Sequence, residues 1–265
     1  MRALHLSRVG VLVAVTVLGL VPDARAGFTV LPPHATVAGK TIGEHTADWW
    51  QWALGFSSPG DPFTDPTGAA AGLNQSGPVF FVAGTPGGSA TRSFTVPADK
   101  FLLIPLLAAE LSQLELGDFT LTEPQVRQQV NGLIDLVDEF HSTVDGVPVP
   151  DLFSHREESP AFAFSAAAGN PFGVPTGPSG IAVADGYWVM VAPIPAGETH
   201  VINFGGGVSE FGFSVDVTAT ITAVAVPEPA SLGVLGGMGA LSLCGHGLRR
   251  LRGNRGVEPA TPGRA

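Results

Sequence analysis

The sequence predicts a mainly β fold: an antiparallel β-sandwich (jelly-roll-like) with one or two helical insertions, between an N-terminal signal peptide and a single C-terminal transmembrane helix. Residues 211–222 alternate apolar and polar side chains without a break, which is typical of a half-buried strand. Clusters of Gly and Pro separate several other short β-prone segments. Only two segments have the 3.6-residue periodicity of a helix, so we expect the helices to be insertions.

Five further segments are predicted to be strands. Residues 78–83 and 91–96 flank a Gly/Pro-rich turn, and we expect them to pair as a hairpin. Residues 187–192 and 199–204 flank a second such turn and are expected to form another hairpin. Residues 101–108 are a continuous apolar run that follows a turn. The strand at the C-terminal end of the domain would then lead directly into the tail.

Two segments are predicted to be helices. The first covers residues 44–54, and the second covers residues 123–140. Thr122 can cap the second helix, with Gln125 in the capping-box position. The apolar residues of this helix recur at helical spacing, with acidic and amide side chains between them. The first helix carries three of the four tryptophans of the chain, Trp49, Trp50 and Trp52.

The N-terminus has the three parts of a secretory signal peptide. Arg2 and Arg8 form a positive region, residues 9–20 are apolar, and Ala24 and Ala26 make an A-x-A cleavage site. We therefore expect residues 1–26 to be removed after export through the Sec machinery. The alternative is an uncleaved membrane anchor, for which the apolar run is short against a hydrocarbon core of about 30 Å.

The C-terminal region, residues 227–255, also has three parts. A Pro-Glu-Pro motif is followed by an uncharged stretch, residues 230–248, and then by four arginines. Nineteen residues at about 1.5 Å each span about 28 Å, which is enough to cross a membrane. The arginines should stay in the cytoplasm with residues 256–265, leaving the domain outside. The motif is Pro227, Glu228 and Pro229, and the basic cluster is Arg249, Arg250, Arg252 and Arg255.

These three parts, in this order, resemble the PEP-CTERM sorting signal of Gram-negative bacteria. The resemblance implies recognition by an exosortase, a membrane-embedded cysteine protease-like transpeptidase, which removes the tail near the motif. It also implies a host that makes exopolysaccharide or a biofilm matrix. The expected path is an inner-membrane-anchored precursor that becomes a cell-surface or extracellular protein.

The exported domain, residues 27–226, carries several short motifs of its own. They include residues 48–52 (Asp-Trp-Trp-Gln-Trp), 65–68 (Asp-Pro-Thr-Gly), 75–84, 97–100, 185–188 and 195–200. Together these motifs resemble a family of uncharacterised secreted bacterial proteins. The resemblance implies a β-rich exported domain and no established activity.

The composition of residues 27–226 restricts the partners. Five Lys and Arg residues stand against twenty Asp and Glu residues, a formal net charge of −15. Such a charge argues against nucleic acids and anionic membrane surfaces, which require a basic face. The single cysteine, Cys244, lies in the predicted span, so we expect no disulfide in the exported domain.

Acidic residues provide the candidate sites for cations and for catalysis. Asp61 and Asp65, with Asp99 or Asp185, could bind calcium through loop carboxylates, although loop aspartates also cap turns. On the second predicted helix, acidic residues and a histidine lie one turn apart and could ligate a cation or pair an acid with a base. The alternative is a solvated helix face. The residues of this acidic stretch are Asp135, Asp138, Glu139, His141 and Asp145.

The three tryptophans of the first helix have two interpretations. Trp49 and Trp52 share a helix face, while Trp50 points elsewhere, so one of the rings could be exposed. An exposed indole can stack on a sugar ring and would make a glycan platform. The alternative is that all three rings lie in the core.

The leading hypothesis is a non-enzymatic exported surface or matrix protein, without a cofactor and with an unknown ligand. The second hypothesis is an exopolysaccharide-binding module that uses the tryptophans of the first helix. The third is a secreted hydrolase or lyase that uses Asp138, His141 or His155. None of the common nucleotide, zinc-protease or serine-hydrolase motifs occurs in the sequence, which disfavours an enzyme.

Overall fold

A computed structural model of the chain describes residues 28–226, which are mainly β with few helices, as predicted. The signal peptide, the sorting motif, the span and the arginine cluster lie outside the described residues. The helices are α1 (Ile42–Leu54), α2 (Gln113–Leu116) and α3 (Glu123–Ile134), with short 3₁₀ segments at Leu152–His155 and Ser209–Phe211. The strands are β1 (Thr36–Val37), β2 (Lys40–Thr41), β3 (Val79–Phe81), β4 (Gly88–Pro97), β5 (Phe101–Ser112), β6 (Glu139–Val144), β7 (Val147–Pro148), β8 (Ser165–Ala166), β9 (Gly177–Pro178), β10 (Ala182–Val191), β11 (Thr199–Val208) and β12 (Phe213–Val224).

Two sheets dominate the described part of the chain. Sheet I has three strands in the order β10-β5-β3, and sheet II has five in the order β4-β12-β11-β6-β7. Two small ribbons, β1-β2 and β8-β9, lie outside these sheets. The expectation of purely antiparallel pairing is wrong at two places, because β3 runs parallel to β5 and β4 runs parallel to β12.

Both predicted hairpins are wrong, although their strands exist. Strand β3 belongs to sheet I and β4 to sheet II, so the Gly/Pro-rich segment between them crosses from one sheet to the other. The same is true of β10 and β11. A five-residue Gly/Pro segment can turn the chain back into the same sheet or carry it across to the other sheet. Which of the two occurs depends on the partner strand that buries the apolar face of each segment.

The main core lies between the two sheets. Leu102 and Ile104 of β5 belong to the same buried cluster as Phe204 of β11 and Val217 and Ile221 of β12. The predicted alternation of the last strand is confirmed from Val215 to Ile221, where every second residue is buried and the residues between are partly exposed. It is wrong at the start, because Phe211 lies in a 3₁₀ segment and both Phe211 and Phe213 are exposed. Burying this apolar face stabilises the packing of one sheet on the other.

A second core covers the opposite face of sheet I. Helix α1 packs there, with Trp49, Trp52 and Leu54 in one cluster with Trp188 and Met190 of β10. Every residue of β10 is buried, because this strand has packed neighbours on both faces. The apolar run predicted at residues 101–108 has the same explanation, since it forms most of β5 beside β10.

The two helix predictions had different outcomes. Helix α1 ends at Leu54 as expected and begins after Thr41, whose side chain and that of Glu44 form a capping box. Helix α3 has the predicted cap at Thr122 but ends at Ile134, six residues early. The prediction over residues 135–140 was wrong: residues 135–138 form a turn and an irregular segment that places Val137 in the main core, and β6 begins at Glu139.

The described residues all belong to one compact unit that ends at Val226. Both sheets, their shared core and the core beneath α1 are complete within this unit. Residues 27–226 therefore carry what is needed to fold on their own. Between residues 28 and 226, no helix combines the length and apolar character that a membrane crossing requires.

Candidate functional site

All three tryptophans of α1 are buried, which agrees with the core interpretation. The exposed fractions are 3% for Trp49, 6% for Trp50 and 9% for Trp52. The rings of Trp49 and Trp188 meet edge to face at 5.2 Å, and Trp49 meets Trp50 in the same way at 5.0 Å. Each ring is at most 9% exposed, so the three together do not form an exposed glycan platform.

An open groove lies beside α1, and we call it the Asp48 groove. It has a volume of about 500 Å³, within the usual size range of ligand pockets. One wall is the exposed side of α1, the second is the β1-β2 ribbon, and the third is the segment from Asn74 to Phe81. Its polar side chains are those of Lys40, His45, Asp48, Gln51, Asn74 and Ser76.

The charged centre of the groove is Asp48. Its Oδ2 lies 2.6 Å from Lys40 Nζ and 3.7 Å from His45 Nδ1. The other ring nitrogen of His45, Nε2, donates to the Val37 carbonyl at 2.9 Å, which fixes the orientation of the buried imidazole. Asp48 and Lys40 are each partly exposed. Their paired charges therefore meet solvent inside the groove and can exchange hydrogen bonds with a ligand.

The wall opposite α1 is held by side chains that lie behind it. The Gln75 amide donates to the Ala71 and Phe81 carbonyls and accepts from the Phe81 N–H. Lys100 Nζ donates to the Gly77 carbonyl. These bonds fix the backbone of the wall while leaving the Asn74 and Ser76 side chains exposed. The backbone of this wall is therefore held in place without a ligand, and the exposed side chains of Asn74 and Ser76 lie on its surface.

The two calcium candidates are turn residues in the structure. Asp61 is fully buried and accepts from the backbone N–H groups of Phe63 and Thr64. Asp65 accepts from the N–H groups of Thr67 and Ala70. Although burial acts in the opposite direction, these hydrogen bonds lower the pKa of Asp65 to about 2. Donors already occupy both carboxylates, so the geometry is that of capped turns.

A buried arginine completes this loop. Arg92 is 4% exposed, and its guanidinium donates to four backbone carbonyls, at distances from 2.6 to 3.0 Å. Burial lowers the pKa of Arg92, and the charges of Asp65 and Asp61 oppose that effect. The charge of Arg92 therefore interacts with these two carboxylates from within the protein. Across residues 28–226, no three His, Cys, Asp or Glu side chains converge as a metal site would require. The four carbonyls are those of Phe63, Asp65, Ala83 and Gly84.

The remaining calcium candidates are separated as well. Asp185 is fully buried and forms an ion pair with Arg156, whose other side pairs with Asp135 at 2.7 Å. Burial raises the pKa of Asp185, and the hydrogen bonds from Arg156 oppose the rise. Asp99 is exposed in the turn before β5. These carboxylates serve ion pairs and turns in the described structure.

The acidic stretch is not on a helix, so its predicted spacing is wrong. Glu139 and His141 lie on β6, and Asp138 precedes it. The His141 ring pairs with Asp216 of β12 at 3.2 Å, and Asp138 accepts from the Ser209 N–H. Asp145 lies in the turn after β6 and pairs with His200 at 2.8 Å.

The third residue proposed for a hydrolase, His155, is buried at the end of a 3₁₀ segment. Burial lowers its pKa, and the charges of Glu157 and Asp151 oppose the shift. Among the described hydrogen bonds and ion pairs, none joins His155 to Asp138 or His141. The three residues have separate partners, and the structure gives them no shared site.

Sequence reasoning found only part of the Asp48 groove. His45 and Asp48 both lie on the first predicted helix, where a spacing of three residues puts them on one face, and both line the groove. Lys40, Asn74 and Ser76 were not singled out. The available indication was the i, i+4, i+7 spacing of Glu44, Asp48 and Gln51, which places a polar strip on an otherwise buried helix. The opposing wall comes from a loop, and periodicity does not predict its position.

Comparisons with protein-family models, with curated proteins and with solved structures found no match to this chain.

Proposed function

We propose that this chain is an exported, non-enzymatic surface or matrix protein whose domain binds a saccharide in the Asp48 groove. The tail at residues 227–255 would direct it to an exosortase in a Gram-negative host, as the sorting motif implies. We regard the domain as a variant of a jelly-roll-like sandwich with two parallel strand pairs. The observation that carries the binding function is the cluster of exposed polar side chains in a preformed groove.

The chemistry of the groove suits a polyhydroxylated ligand. A carboxylate accepts hydrogen bonds, an ammonium donates them, and amide and hydroxyl groups do both. Asp48, Lys40, Asn74 and Ser76 supply this mixture within one groove. The edge of Trp52 adds apolar wall area against the carbon-bound faces of a sugar. Saccharides present the same combination of alternating hydroxyls and apolar patches.

Binding is favoured over glycoside hydrolysis by the number of carboxylates. Hydrolysis of a glycosidic bond generally uses two carboxyl groups on either side of the bond. Among the described residues that line the groove, Asp48 is the only carboxylate, and it is already paired with Lys40. This arrangement supports recognition of hydroxyl groups without supplying a separate acid and base.

Calorimetric titration of residues 27–226 with oligosaccharides from the host's own exopolysaccharide tests the binding function. We expect Asp48→Ala to weaken binding at least tenfold, because it removes charge-assisted hydrogen bonds. Asp99→Asn, an exposed aspartate outside the groove, is the matched control and should bind as the parent does. Equal affinity of the parent and Asp48→Ala would reject the groove as the binding site.

Export and sorting are tested separately in the host. Full-length tagged protein should be found outside the cytoplasm, and deletion of residues 227–265 should abolish the size change that accompanies maturation. Retention in the cytoplasm, or unchanged maturation without the tail, would reject the sorting part of the proposal. The calorimetric result does not depend on either outcome.

A further inference from the structure

A second cavity lies on the other side of α1 from the groove, and we call it the Trp50 cavity. Its volume is about 110 Å³, and mainly apolar side chains line it. Trp50 of α1, Leu107 of β5 and Val215 of β12 contribute to its walls. Phe213, which is 40% exposed, lies at the edge where the cavity meets solvent. The Trp50 cavity and the Asp48 groove share no lining residue.

One polar atom in the wall of this cavity lacks a partner. Trp50 is 6% exposed, and its Nε1 has no hydrogen-bond acceptor among the described residues. The neighbouring indoles differ: Trp49 Nε1 donates to the Val82 carbonyl, and Trp52 Nε1 donates to the Leu73 carbonyl, both at 3.0 Å. Because buried indole N–H groups usually find a partner, an unpartnered one beside a cavity indicates a missing acceptor.

We propose that the Trp50 cavity binds a small, mainly apolar molecule that carries one hydrogen-bond acceptor, and that the acceptor pairs with Trp50 Nε1–H. The size follows from the volume, since an apolar cavity of about 150 Å³ in another protein holds benzene. The occupant is therefore about one aromatic ring in size. The apolar lining excludes a charged ligand, because burying an unpaired charge is costly. This inference does not rest on the proposed saccharide function.

Pyridine and benzene are the probes, because they have nearly the same shape and only pyridine has an acceptor. The chain has four tryptophans, all within residues 27–226, so ¹⁵N–¹H NMR of this domain gives four indole signals. Trp50→Phe assigns the signal of interest. At pH 7.5 we expect pyridine to move the Trp50 indole proton downfield in a saturable manner. Benzene should saturate the same signal without the downfield displacement.

Trp188 provides an internal control. Its Nε1 is also buried without a partner among the described residues, but Trp188 does not line the cavity. Its signal should therefore not move downfield with pyridine. In Trp50→Phe, pyridine affinity should fall about five- to tenfold, the effect of one neutral hydrogen bond, while benzene affinity stays within about twofold.

Three results would overturn the inference. The first is a Trp50 signal that neither probe moves saturably. The second is an equal displacement by pyridine and benzene, which would show that the N–H already interacts with the nearby Phe172 ring, 5.4 Å from Trp50. The third is unchanged pyridine binding in Thr85→Phe, which places a ring at the cavity edge, and in Ala108→Leu, which fills the cavity from β5. Four dispersed indole signals in the Thr85→Phe spectrum, and in that of Ala108→Leu, confirm that each variant is folded.

Discussion

Replacing Glu110 by Gln should stabilise the domain, because Glu110 is buried as an acid. This residue of β5 is 6% exposed, and its Oε1 has no hydrogen-bond partner among the described residues. Burial, reinforced by the neighbouring charge of Glu115, raises the pKa of Glu110 to about 10. At neutral pH the folded protein therefore holds a proton on Glu110 that the unfolded chain releases.

The size of this effect follows from the two pKa values. The ordinary value for Glu is 4.5, so between pH 4.5 and about 10 the folded state binds one more proton than the unfolded state. The free energy of unfolding then falls by about 1.4 kcal/mol for each unit of rising pH. At pH 7 the accumulated penalty is about 3 kcal/mol. Gln has the same shape, is neutral at every pH and can still donate to Glu115, so Glu110→Gln removes the penalty.

Urea unfolding of residues 27–226, followed by tryptophan fluorescence at pH 5, 6, 7 and 8, measures this difference. At pH 5 Glu110→Gln should be only about 0.8 kcal/mol more stable than the parent, and this difference should grow by about 1.4 kcal/mol with each further unit. Glu210→Gln, at an exposed position, should follow the parent throughout. A difference between parent and Glu110→Gln that does not change with pH would refute the buried-acid explanation.

Three further predictions concern the charged side chains that fix loops. Arg92→Lys should lower the free energy of unfolding by about 3 kcal/mol, because an ammonium cannot reach all four carbonyls; denaturant unfolding measures this, and a loss below about 1 kcal/mol would contradict it. Arg156→Ala should cost about 3–5 kcal/mol in the same assay, since it leaves buried Asp185 without its partner, whereas Asp185→Asn combined with Arg156→Ala should recover part of the loss. Asp65 has a lowered pKa, so its contribution to stability is present above pH 4 and is lost as the pH falls through about 2. Asp65→Asn should therefore remove that part of the acid unfolding transition. An acid transition that is the same in parent and variant would argue against this role of Asp65.

The Asp48 groove shows how much of a binding site local sequence patterns can predict. Helix α1 was predicted to within two residues of its observed start, because its apolar residues recur at helical spacing; the capping box of Thr41 and Glu44 that begins it was not predicted. The positions of His45 and Asp48 on one face follow from that helix. Their partner Lys40 and the wall at Asn74 depend on how a ribbon and a loop fold over the helix. No periodicity determines that arrangement.

The sequence by itself determined the mainly β class, the strand at the C-terminal end of the domain and the cap of the second predicted helix. These features depend on neighbours within a few residues, where side-chain alternation and capping act directly. The tertiary structure decided the strand partners, the end of α3 and the burial of all three tryptophans of α1. Val137 and Phe140 fit a helix by spacing, yet Val137 packs in the main core and Phe140 extends into β6 beside Tyr187. Pairing of this kind is settled by which distant apolar surfaces meet, because burying them outweighs a local preference for helix.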